Sequence, residues 1–238
     1  MARHSFVLLA VLAVSPLSAQ DAPRPFEFTG DIGLVNTAGN TDVTTLNVGE
    51  KLTHNRDRLT LKQFFAVVYG RTEGLTTTSL WRGGLRGDYA LSPRIGVFGS
   101  ATADRNRFAG ISRRLEEGAG ITFKLIAGER NKLEVEAGLA FTQQLSTTEV
   151  KDNFTSARSA ALFQHNFTPT AYFLQTVEVL PNLEVSEDLR INTETGLVAP
   201  LSRRLAIKVS YVIRYDRLPE PTFEKTDRLL TSGLQVTL

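Results

Sequence analysis

Only two histidines, His54 and His165, lie beyond the first twenty residues, and the chain contains no cysteine. A serine hydrolase needs an imidazole placed to activate its hydroxyl. Asn55 and Asn166 follow the two histidines, no His-x-Ser pattern occurs, and no aspartate stands two positions before either ring. Both histidines therefore read as ordinary strand or turn residues, and no catalytic residue is expected. Two histidines without cysteine give no metal-ligand spacing, so neither a metal nor another cofactor is expected. Gly83-Gly84 and Gly118-Ala119-Gly120 are not phosphate loops, because no helix pattern follows them. Glycines there suit bends and close packing within strands. The absence of cysteine also excludes a disulfide scaffold, thiol catalysis and a lipid-modified N-terminal cysteine.

What is left for chemistry is paired charge. Lys62, Arg82, Arg86, Glu134, Glu136, Arg190, Glu194, Lys208 and Arg214 each fall on the polar parity of a stretch whose other parity is apolar. Glu27, Asp31, Asp88 and Lys124 share that placement. Side chains of this kind either line a water-filled path or close it by pairing with one another. Both signs are abundant, which suits closure at least as well as conduction.

The elements that must carry these residues are long strands. In Leu205–Tyr215, Leu205, Ile207, Val209, Tyr211, Ile213 and Tyr215 alternate with Ala206, Lys208, Ser210, Val212 and Arg214. Leu133–Leu145 alternates in the same way, with Gln143 the one polar residue on its apolar side. Period-2 alternation over such lengths describes a wall with one apolar and one polar face. The pattern predicts strands over Phe26–Asn36, Asp42–Asn55, Leu59–Arg71, Thr77–Ala90, Ile95–Arg107 and Arg113–Ile126. It continues over Lys132–Ser146, Phe154–Phe167, Ala171–Val185, Leu189–Pro200, Leu205–Tyr215 and a last strand through Leu230–Leu238. Asp42–Asn55 is the weakest of these.

Short turns at Arg56–Arg58, Leu91–Arg94, Ala127–Asn131, Thr168–Thr170 and Leu201–Arg204 recur once per hairpin, separated by generally longer connections. The count of about 12 strands is even, as an up-and-down antiparallel barrel requires. Size fixes which face points outward. About 8 strands already leave room for a small ligand, so a lumen inside about 12 is too wide for apolar side chains to fill. The fold class read here is therefore all-β, an up-and-down antiparallel transmembrane β-barrel with its charged parity inward. The alternative is a soluble periplasmic barrel that binds a small ligand.

The chain opens with a basic residue, Arg3, an apolar run Phe6–Val14 and small residues around Ser18 and Ala19. This reads as a secretory signal peptide over residues 1–20, cut near Ala19 or Gln20, with the barrel spanning residues 21–238. Removing it takes away one arginine and lowers the formal net charge from +2 to +1. A nearly neutral exported chain is not a nucleic-acid binder by charge. The cluster Asp104, Arg105, Arg107, Arg113, Arg114, Glu116 and Glu117 reads as a charged mouth or, more plainly, as a solvated rim whose pairs have little net value.

Thr37–Asp42 (TAGNTD) and the block Arg82–Ile126 (RGGLRGDYALSPRIGVFGSATADRNRFAGISRRLEEGAGITFKLI) resemble signatures of the salt-induced outer membrane protein family, a domain of unknown function. The resemblance covers essentially the whole chain beyond the signal. It implies a Gram-negative outer-membrane β-barrel with no catalytic residues to carry over. The partners expected are outer-membrane lipids and lipopolysaccharide, with the barrel-assembly machinery for insertion, and the expected state is a monomer.

Overall fold

The computed structural model describes residues 25–37 and 43–238. The proposed cleavage site and most of the TAGNTD motif lie outside the described residues. Twelve strands run in chain order: β1 (Phe26–Thr37), β2 (Val43–Arg56), β3 (Leu59–Thr72), β4 (Leu75–Ala90), β5 (Ile95–Asn106), β6 (Ile111–Ala127), β7 (Asn131–Ser146), β8 (Lys151–Asn166), β9 (Tyr172–Pro181), β10 (Leu189–Pro200), β11 (Leu205–Asp216) and β12 (Thr226–Thr237). Each pairs antiparallel with its neighbours in sequence, and β1 pairs with β12 to close the barrel.

Register carries one parity around the whole outer wall. Ile32 opposes Val48, Val48 opposes Val67, and Val67 opposes Trp81. Leu139, Leu197, Val209 and Leu234 lie on this outward face and are exposed. An apolar outer band is what a membrane-spanning barrel presents to lipid. Among the described residues no helix is long and apolar enough to cross a membrane. The few buried apolar side chains, Phe98, Phe154, Leu180 and Val198 among them, belong to the opposite parity and form islands in a polar interior.

The expected alternation of short and long connections holds only in part, since among the described residues only the β9–β10 and β11–β12 connections exceed the short turns in length. At one end Asp57 takes a left-handed φ of 51° in the tight β2–β3 turn. At the other end Glu73 and Gly74, with φ of 51° and 80°, make an equally tight β3–β4 hairpin, so the longer connections are not uniformly long. Two successive positive φ values match the twist of flanking strands.

Two expectations needed correction. The strand expected over Ala171–Val185 stops at Pro181, because proline has no N–H to continue the ladder. Asn182 then fixes a turn: its Oδ1 accepts from the N–H groups of Glu184 and Val185, and its Nδ2 donates to Asp188 at 2.8 Å. The bend expected over Phe108–Ser112 begins with a 3-10 turn, Arg107–Ala109, ending at Gly110 with φ of 75°.

Candidate functional site: the charged lumen

Period-2 geometry sends the charged parity of every strand into one interior, and the contacts there cross from strand to distant strand. Arg86 on β4 donates to Asp88 on its own strand at 2.7 Å. The same guanidinium reaches Glu136 on β7, three strands away, at 2.6 and 3.2 Å. Glu136 also accepts from Arg158 on β8 at 2.6 Å, and Arg158 donates to Glu178 on β9 at 2.8 Å. Lys62 on β3 extends the chain at one end through Asp88, 2.9 Å away, and Asn192 on β10 donates to Glu178 at the other. The Phe98 ring lies beneath, 4.2 Å from the Arg86 guanidinium and 5.0 Å from that of Arg158. Its negative π face adds a third partner for each cation.

A second chord lies towards the long-loop end. Arg190 on β10 donates to Glu116 on β6 and to Thr142, both at 3.1 Å. Higher still, Asn106 at the end of β5 donates to Asp227 at the start of β12 at 3.2 Å. These strands lie nearly opposite one another, so two short side chains meet over the lumen. The β11–β12 connection folds across the same mouth. Glu220 accepts from Gln144 at 2.8 Å, and a Cβ on Gly110 would stand 2.6 Å from the Glu220 Cβ and 2.8 Å from the Phe223 ring. Gly110 is thus held to glycine by its left-handed φ and by the loop seated on it.

The remaining charges from the sequence fall into three groups. Lys208 stands 3.7 Å from Glu194 and 3.9 Å from Asp31, while Glu194 also accepts from Ser210 at 3.0 Å. Arg82 and Arg214 form no ion pair among the described residues. Arg82 sits 6.0 Å from the Phe64 ring, and its Nε is buried without an acceptor. Glu134 opposes Lys124 beside a bulge at the short-turn end, where Lys124 is exposed, and the two make no ion pair.

Residues 30–238 match the family described as "Protein of unknown function, DUF481". The chain belongs to the DUF481 family. No curated protein matches it in sequence. Among solved structures, the translocator domain of autotransporter NalP from Neisseria meningitidis has a TM-score of 0.53 at 10% identity, over 91% of this chain and 89% of that one. The NanC porin gives 0.48 at 7% identity, over 89% and 97% of the two chains. An anion-selective porin from Comamonas acidovorans gives 0.44 at 8% identity, over 90% and 98%. The likeness to the NalP domain concerns the fold, a closed outer-membrane-type barrel.

Several interior groups of this DUF481 barrel escape periodicity. Arg158 and Glu178 complete the main ion-pair chain, yet β8 and β9 show no clean contrast between parities. The charged cluster around the 3-10 turn is split by register rather than solvated as a rim. Arg105, Arg113 and Glu117 take the outward parity, whereas Asp104, Arg114 and Glu116 turn inward and Asp104 is 6% exposed. Strand parity alone separates those two sets. His54 and His165 both lie on the outward parity near the short-turn end. His54 Nδ1 donates to the Pro25 carbonyl at 2.9 Å and its ring stacks on Phe26; His165 bonds Asn131 at 2.7 Å.

Proposed function

We propose that this DUF481 protein is a non-enzymatic outer-membrane barrel, with its short turns in the periplasm, whose lumen is closed at rest by its own ion pairs. The observation that carries the reading is the Arg86–Glu136–Arg158 bridge with Phe98 beneath it, which spans non-adjacent strands at 2.6 Å. Charges paired in this way need little hydration and leave little room for water. A role in envelope or salt stress belongs to the same proposal and rests on the family resemblance.

A second reading, a narrow pore for small polar solutes, is favoured by Lys51, Arg82 and Arg214. These inward cations form no ion pair among the described residues and leave positive charge on the lumen wall. Single-channel recording of the refolded protein in planar bilayers separates the two. A closed barrel gives a silent wild type, and Glu136→Gln brings leak together with lowered thermal stability. Steady wild-type conductance, with selectivity shifted towards anions by Glu136→Gln and no loss of stability, would establish the pore instead.

A further inference from the structure

At the long-loop end the outward parity carries arginines that the lumen does not use. Trp81 on β4 opposes Arg105 on β5. Between β5 and β6 the register shifts from Asp104–Arg114 to Asn106–Ile111, so Arg105 faces Ser112 and Arg113 across a bulge. Arg113 in turn opposes Leu145 on β7, and Leu145 opposes Lys151 at the start of β8. One row along the outer wall therefore runs from Trp81 through Arg105 and Arg113 to Lys151. Directly below the two arginines lie Ala103 and Leu115, part of the lipid-facing band.

Neither arginine is satisfied by the protein. Arg105 and Arg113 form no ion pair and no side-chain hydrogen bond among the described residues. The Nε–H of Arg105 is buried without an acceptor, and Arg113 is exposed. The carboxylates of this region are placed elsewhere. Glu117 takes the outward parity, but it stands four residues from Arg113 and opposes Ala101 and Phe141. Glu149 lies in the β7–β8 turn, two residues from Lys151, and forms no ion pair either. Asp104, Glu116 and Asp152 take the inward parity. Arginine on a lipid-facing wall is costly at the bilayer centre and nearly free at the interface, so this row belongs at the membrane edge. Trp81 marks the same level, because indole rings gather among the headgroups. Two adjacent guanidiniums there call for one anionic partner, and a phosphate can accept from both at once.

We propose that Arg105 and Arg113, beside Trp81, form a site on the outer wall for the phosphate of an outer-leaflet lipid headgroup. The inference rests on the reading of an outer-membrane barrel with its short turns in the periplasm, which puts this end in the outer leaflet. The acyl chains of such a lipid run down over Ala103 and Leu115, an apolar contact that a free phosphate ion lacks. The buried Nε–H of Arg105 and the exposed Arg113 then share one ligand across the bulge.

The test is thermal unfolding of the refolded full-length barrel in a neutral detergent, titrated with diphosphoryl lipid A. Parallel titrations use the same lipid with both phosphates removed and inorganic phosphate. Wild type should show a saturable rise in Tm with diphosphoryl lipid A alone. Arg105→Gln or Arg113→Gln should each raise the half-saturating concentration about tenfold, the worth of a hydrogen bond to a charged group. Arg94→Gln, in a short turn at the opposite end, should leave it unchanged. No saturable rise in wild type, or equal half-saturation in wild type and both variants, would overturn the site. An equal rise with the phosphate-free lipid would mean that the acyl chains alone bind, and an equal rise with inorganic phosphate would make the ligand a free ion; either result rejects the proposal. Heat-modifiable folding and bilayer recording test the closed barrel independently, so that reading can stand where the lipid site fails.

Discussion

Glu134 and Glu136 stand two residues apart on the same face of β7, yet their surroundings differ in kind. Glu136 joins two guanidiniums from separate strands, and all three side chains are less than a fifth exposed. Glu134 has only an unpaired, exposed lysine opposite it. Glu136→Gln leaves Arg86 and Arg158 short of an acceptor and should cost about 2–4 kcal/mol, towards the lower end for a partly hydrated lumen. Glu134→Gln should cost under about 0.5 kcal/mol, the usual size for a surface site. Urea titration of folding into lipid vesicles measures both, and equal costs would show that the cross-lumen bridge is not a stabilising unit. The outer face obeys the opposite rule. Val209→Arg should cost about 2–4 kcal/mol near the bilayer centre. Lys208→Ala loses only long contacts at 3.7 and 3.9 Å and should cost less than about 1 kcal/mol. If the two costs were reversed, the barrel would be inside out. Alternation made the face of Lys208 or Arg86 legible, because Ile207 and Val209 flank the first and Leu85 precedes the second. It could not reveal that Arg86 meets Glu136, since period 2 fixes a face but not a height or a partner across the barrel. Arg158 was hidden for a simpler reason: the other parity of β8 carries Thr155, Ala157, Ser159 and Ala161, which give no apolar contrast.

At the scale of elements, nearly all the strands could be read, and the exceptions have local causes. β2 looked weak because Glu50 interrupts the outward apolar run of Leu46, Val48 and Leu52, and Thr44 and His54 flank it. The side-chain amide of Gln63 on β3, itself outward, donates to Glu50, so the two polar groups satisfy each other on the outer wall. β9 ran short because Pro181 and the Asn182 turn intervene where apolar residues continue to Val185. The mouth connection was legible as a loop, but not its inward fold, which depends on Gly110 more than a hundred residues earlier. Gly110→Val would require a β-branched residue at φ of 75° and push against Glu220 and Phe223. The β11–β12 connection should then lift from the mouth while the wall stays intact. Faster trypsin cleavage at Arg217 and Lys225, with an unchanged folded band on gels, is the expected result. Wild-type resistance in the variant would mean that the loop is held by something other than this contact.

For the whole molecule, the apolar outer band and a ladder closed on itself predict a heat-modifiable barrel. Boiled and unboiled samples of detergent-refolded protein should migrate differently on a gel. Identical migration, together with solubility in plain buffer, would contradict a membrane-spanning wall. The closure itself is uneven. β1 opposes β12 at four positions, from Thr29–Thr237 to Ile32–Leu234, and Leu238 adds a fifth by exchanging both backbone bonds with Phe28, whereas β1 and β2 are in register at every residue from Phe26 to Thr37. Gly33 and Gly233 lie at this seam, where a Cβ on either would collide with backbone of the other strand. Two strands joined so briefly can meet only after the other eleven hairpin contacts have formed, since nothing nearby in sequence brings them together. The seam is therefore the last part of the molecule to be made and the first to come apart. Amide hydrogens of β12 that face β1 should exchange with deuterium ahead of those in β6, β7 and β8, and Gly233→Val should trap an unzipped sheet rather than a weakened barrel.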